Sequence, residues 1–162
     1  TSDPKLAFKN LAHILSPNGE IAIYVYKEKA PIREFTDDFV REYLSHKSVE
    51  EAFELSRQFA DLGRVLSQLD VTLDFPEVKA LGIPAGQYGI QRFLYHFFVK
   101  CYWNQSLSED DNMMVNFDWY RPAHCSRHTE PEVLQWFEEN NLEVLHLHVD
   151  EYGITARGRK DG

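Results

Sequence analysis

Apolar residues near the start of the chain fall at helical spacing. Leu6, Leu11, Ile14 and Leu15 recur on one side, with Phe8 and Ala12 widening the stripe. Ser2 or Asp3 can cap this helix, and Pro4 suits its first position. Ser16-Pro17-Asn18-Gly19 stops the helix and turns the chain. Glu20 to Tyr26 is then a nearly continuous β-branched and aromatic run, the pattern of a strand buried on both faces of a partly parallel sheet.

The stretch from Lys27 to Arg121 shows no good strand pattern. Thr36 to Leu69 predicts two helices broken near His46-Lys47-Ser48, the second opened by a Ser48/Glu51 capping box. Leu55, Phe59, Leu62, Leu66 and Leu69 mark its expected apolar stripe. Asp70 to Gly89 carries Pro76, Gly82, Pro84, Gly86 and Gly89 and is expected to be loop with short turns. Ile90 to Trp103 is rich in aromatics and predicts a buried helix; Ser106 to Asn112 predicts a polar surface loop, and Asn116 to Pro122 an aromatic loop. Thr129, Pro131 and Glu132 open a further helix that carries Val133, Leu134, Trp136 and Phe137. Leu142 to Val149 alternates as a strand with one polar face, Tyr152-Gly153 turns, and Ile154 to Gly158 returns as a short strand.

Composition narrows the class. At 162 residues, with 43% hydrophobic and 27% charged residues, the chain is expected to fold as one domain rather than stay disordered. No apolar run approaches the ~20 residues of a membrane span. Seventeen Lys+Arg against 26 Asp+Glu give −9, which argues against sequence-blind binding to nucleic acid or anionic lipid. Cys101 and Cys125 are too few for a disulfide framework and fit a reducing compartment, so the expected location is cytoplasmic. The chain begins at Thr1 without a methionine or a signal-like segment, which suggests a cut inside a longer protein.

The helix, the turn Leu15-Ser16-Pro17-Asn18-Gly19-Glu20 and the strand after it resemble the L-x-P-G-G turn into the fifth strand of class I S-adenosylmethionine-dependent methyltransferases. Asn18 stands where that family has its first Gly, and Asn tolerates the left-handed backbone. Arg127-His128-Thr129, the helix to Phe137 and the two late strands resemble the last helix and last two strands of the same fold, in which the final strand inserts antiparallel beside the fifth. The resemblance covers about residues 3–26 and 116–160. It implies an α/β fold: a partial Rossmann-like sheet of one buried strand plus a C-terminal hairpin (residues 1–26 and 122–162), with a helical substrate-lid insertion over residues 27–121. It also implies S-adenosylmethionine as cofactor and a small-molecule acceptor. The family's Gly-rich cofactor loop is missing: the eight glycines contain no G-x-G-x-x-G, and no cofactor-binding residue is assigned. The resemblance is therefore to the C-terminal part of such an enzyme.

Candidate chemistry is sparse. Methyl transfer needs an acceptor held in line with the donor and, at times, a base. His128 and Asp118 are the candidate catalytic residues. Tyr26, Tyr95, Trp119, Tyr120, His124 and Arg127 are the candidate substrate-binding residues. Each has a plainer alternative: Tyr26 can cap the core at a strand end, Asp118 can tie a tight loop through backbone N–H groups, and the aromatic run around Tyr95 can be simple core. Arg127 can be a surface ion-pair residue. His124, Cys125 and His128 give an H-C-x-x-H spacing, but a structural zinc needs four ligands, and no metal is assigned. His146 and His148 fall on the polar face of the late strand.

A second reading is non-enzymatic: a helical interaction module that docks through an exposed sheet edge. In either case the apolar strand Glu20 to Tyr26 is expected to recruit another copy of the chain through an unpaired edge.

Overall fold

The computed structural model describes residues 2–162. They form a mixed α/β chain of two compact units, one of residues 2–28 and 124–162, the other of residues 29–123.

The first unit opens with helix α1 (Pro4–Ile14), capped by Asp3, whose Oδ1 accepts from the Leu6 N–H at 2.8 Å. Asn18 in the following turn is left-handed (φ 61°), a conformation that Asn tolerates. Strand β1 (Glu20–Tyr26) leads out of the first unit. The chain returns through helix α6 (Glu130–Glu139), opened by the Thr129/Glu132 capping box, then strands β4 (Leu142–Val149) and β5 (Gly153–Lys160). The sheet order is β1-β5-β4, with β5 antiparallel to both neighbours. β5 is longer than the Ile154 to Gly158 segment its sequence suggested.

Helices α1 and α6 cover one face of this sheet. Phe8 meets Phe137 and Trp136, with ring centroids 4.9 and 5.9 Å apart, above Ile21, Ile154 and Ala156. Gly158 permits that approach: a Cβ there would lie 2.6 Å from the Phe137 ring. β1 is therefore not the doubly buried, partly parallel strand expected. It is an antiparallel edge strand whose inward Ile21 is buried while Ala22, Tyr24 and Tyr26 are exposed. The alternation was hidden because its outward residues are themselves aromatic or small.

The second unit is mainly helical: α2 (Pro31–Ser45), α3 (Val49–Ser67), α4 (Ile90–Phe97) and α5 (Glu109–Tyr120). Three expectations are corrected here. The region expected to lack strands holds a small antiparallel pair, β2 (Thr72–Phe75) with β3 (Gly86–Gly89). The helix expected to reach Trp103 ends at Phe97. The two polar and aromatic loops around Asn112 and Asn116–Pro122 are largely one helix, α5, capped by Ser108. α3 buries Ala52, Ser56, Ala60 and Gly63, and a Cβ on Gly63 would lie 2.3 Å from the Cys101 carbonyl oxygen. Small residues let the chain near Cys101 approach the helix axis.

Candidate functional site

The carboxyl end of β1 carries the best-developed constellation in the first unit. The His128 N–H donates to the Tyr26 carbonyl at 2.8 Å, and the His128 carbonyl accepts from the Glu28 N–H at 3.0 Å. Lys27 and His128 thus form a parallel bridge that extends β1 beyond its last residue. Tyr26 and His128, both singled out from the sequence, are brought together by backbone pairing.

The His128 imidazole stands edge-on to Trp136, with centroids 4.7 Å apart. Its Nδ1 lies 3.9 Å from a Glu132 carboxylate oxygen, which is already engaged with the Thr129 N–H at 2.7 Å. Nε2 is buried and has no hydrogen-bond partner among the described residues. Burial pushes the imidazole pKa below its ordinary value, and the opposing pull of Glu132 and Glu28 is smaller. Burial thus favours the neutral form of the ring. The neighbouring carboxylate favours the proton on Nδ1, leaving a lone pair on Nε2 able to accept a proton or a hydrogen bond.

The other candidates in this unit are looser. His124 is exposed, and Arg127 donates from Nη1 to the Cys125 carbonyl at 2.7 Å within its own loop. Tyr26 is exposed and stands edge-on to Tyr24. Among the described residues no three His, Cys, Asp or Glu side chains converge as a metal-binding group. An apolar groove of about 270 Å³ runs beside the open edge of β1, lined by Pro4, Ala7, Leu11, Ile23, Val25 and Trp136 among others. A polar groove of about 470 Å³ lies at the far ends of α1 and α6. Its Lys160 ammonium is held by the Leu15 carbonyl at 3.1 Å and, more distantly, by those of Ala12 and His13.

In the helical unit, Tyr95, Trp119 and Tyr120 are not an open pocket wall. They enclose a buried ion pair that the sequence reading missed. Arg33 and Asp37 on α2 meet at 2.9 Å with side chains 2% and 0% exposed. Arg33 also donates to the Tyr95 carbonyl, and its guanidinium lies over the Tyr95 and Trp119 rings. The Lys100 ammonium sits 4.6 Å from the Trp119 ring centre. The Tyr120 hydroxyl donates to the Lys100 carbonyl at 3.1 Å, and burial drives its pKa far upward. Asp118 is not in a loop: it is exposed on α5, so the same helix that buries Trp119 and Tyr120 turns it outward. The signal for the ion pair was present as Arg33, Asp37 and Arg41 at successive four-residue steps, an alternating-charge stripe on one helix face.

Against known proteins, no family model, no curated protein and no solved structure matches this chain.

Proposed function

We propose that this chain is the C-terminal, acceptor-side part of an S-adenosylmethionine-dependent methyltransferase acting on a small molecule. One observation carries the reading: β5 lies between β1 and β4 and runs antiparallel to both. That is the arrangement the class I resemblance calls for, with the final strand beside the strand that follows the Leu15–Glu20 turn. The left-handed Asn18 supports the same turn.

The described residues do not fit the cofactor. β3 runs directly into α4, and Gly82 closes a 3₁₀ turn, so neither makes a Gly-rich loop between a strand and a helix. In this reading the cofactor cradle lies upstream or on another chain, and no step through it is derived. This chain would supply the acceptor side, with His128 at the carboxyl end of β1, where open α/β sheets place ligands, its Nε2 exposed to the acceptor only when the site opens. Asp118, exposed on α5, is given no role.

The test is the open reading frame that encompasses this chain. Its full product should bind S-adenosylmethionine by calorimetry, whereas residues 1–162 alone should not. His128→Gln in the full product should lower turnover while leaving cofactor affinity unchanged. No cofactor binding by the full product, or micromolar binding by residues 1–162 alone, overturns the reading.

The interaction-module reading is favoured by a different observation. Among the described residues β5 is the only strand that pairs with β1; His128 takes the far side at its carboxyl end, and the apolar groove lies along the rest of that edge. A full product that binds no cofactor but captures a strand along β1 would select this reading instead.

A further inference from the structure

Strand β4 carries two histidines that the proposed reaction does not use. His146 and His148 alternate with Leu147 and Val149, which pack against the core beneath α1 and α6. The two imidazoles therefore belong to the opposite face of the sheet, and both residues are exposed. β5 fixes their register: His146 lies opposite Arg157, and His148 opposite Thr155. The bulge between Val144 and His146 ends just before them, so β4 is regular from His146 to Val149.

Two positions along a strand place side chains about 6.6 Å apart on one face. Imidazoles at that spacing can close on a single ion, each nitrogen about 2.0–2.1 Å from it. The arginines that β5 sets across from β4 are engaged elsewhere. Arg157 is drawn to Glu20 on β1 at 3.7 Å, and Arg159 is tied to Glu143 at 2.8 Å.

One chain supplies too few ligands to close such a site. Among the described residues no third His, Cys, Asp or Glu joins the pair, whereas a closed zinc site takes four ligands. A second copy can provide the other two. β4 is an outer strand, paired with β5 alone among the described strands. An antiparallel pairing of two copies centred on Leu147 sets His146 of each opposite His148 of the other. Directly opposed side chains stand about 5 Å apart, so four imidazoles surround one point on the open face.

We propose that His146 and His148 hold a zinc ion shared between two copies of this chain, joined edge to edge along β4. Zinc suits the donors, because it takes imidazole nitrogen in a four-coordinate shell. Magnesium and calcium prefer oxygen. The ion supplies what this edge lacks. The bulge interrupts the strand, and so short a pairing does not hold two sheets together by itself. Association here therefore depends on metal, unlike pairing along β1, and the inference stands apart from the methyltransferase reading.

Light scattering of the 162-residue chain tests it, in the Leu11→Glu variant, which places a charge in the groove beside β1. In EDTA the mass should be 19.0 kDa. Zinc chloride at about one ion per two chains should double whatever mass EDTA leaves, and further EDTA should reverse the change. Equilibrium dialysis should return one bound zinc per two chains. His146→Ala and His148→Ala should each abolish the doubling. Both side chains are exposed, and circular dichroism checks that each variant is folded. His13→Ala with His46→Ala, which removes two exposed histidines elsewhere, should leave the doubling intact. Magnesium chloride should produce none. The proposal is overturned if zinc leaves the mass unchanged or binds one ion per chain. It is also overturned if doubling survives the loss of both His146 and His148, or is lost with His13 and His46.

Discussion

The indole N–H of Trp119 donates to Oδ2 of Asp37 at 2.9 Å. The same carboxylate is held by Arg33 Nε, so one buried charge pair fastens α5 to α2. A buried pair of this kind contributes little net stability as a pair, yet removing one member leaves an uncompensated charge.

Asp37→Ala should therefore destabilise the chain by about 3–5 kcal/mol, because it strands Arg33 among aromatic rings. The double variant Arg33→Met with Asp37→Leu should recover most of that loss. Urea denaturation followed by circular dichroism checks both. A single variant within about 1 kcal/mol of the parent would show that water reaches the pair.

Asn116 is fully buried on α5. Its Oδ1 accepts from the Tyr102 N–H at 2.9 Å, and its Nδ2 donates to the Tyr102 carbonyl at 3.0 Å. It substitutes for a strand partner to a segment that has none. Asn116→Ala should cost about 2–3 kcal/mol, and Asn116→Asp a comparable amount, since the carboxylate can no longer donate. Loss of slow amide exchange at Tyr102 would place the effect there.

These two sites also explain what could and could not be read from the sequence. α1, α6 and both capping boxes were legible because caps and apolar stripes act locally. α5 was not, because its buried face includes Asn112 and Asn116, whose amides satisfy backbone groups far along the chain. In α3 the helical period was right and the phase shifted to one side. Leu55, Phe59 and Leu66 are half-buried, with Phe59 against Tyr120, but Leu62 is exposed, Leu69 lies beyond the helix, and the fully buried face is Ala52, Ser56, Ala60 and Gly63, where close approach outweighs side-chain hydrophobicity. Of the candidate site, both Tyr26 and His128 were singled out, but their backbone meeting was not expected, because it rests on an isolated parallel bridge between Lys27 and His128. The burial of Trp119 and Tyr120 was not expected either, because it depends on Arg33 and Asp37 from another helix.

His128 should make stability depend on pH in a definite direction. Its pKa in the folded chain lies below the ordinary imidazole value of 6.5. Between the two values the unfolded chain binds the proton and the folded chain does not. Stability is then fully present above about pH 6.5 and is lost as pH falls toward the folded value. Denaturation midpoints measured between about pH 7 and pH 5 should fall less steeply for His128→Gln than for the parent. Equal slopes would mean that the ring is as accessible to protons in the folded chain as in the unfolded one.

The open edge of β1 sets the last expectation. Among the described residues no strand pairs with it on the side away from β5, where His128 meets the Tyr26 carbonyl and the apolar groove lies beside the rest. An antiparallel pairing of two copies centred on Ile23 would set Ala22 opposite Tyr24 and Ile21 opposite Val25. Small would then meet large on the open face, and aliphatic would meet aliphatic on the helix-covered face. Unpaired apolar edges of this kind recruit a second strand. The chain should accordingly move from a 19.0 kDa monomer toward twice that mass as its concentration rises in light-scattering measurements. Ala22→Lys, exposed on the edge strand, and Leu11→Glu, exposed in the groove, should each hold it monomeric by placing a charge where the copies meet. A parent chain that stays at 19.0 kDa across all concentrations would show that pairing along this edge does not outweigh the cost of association.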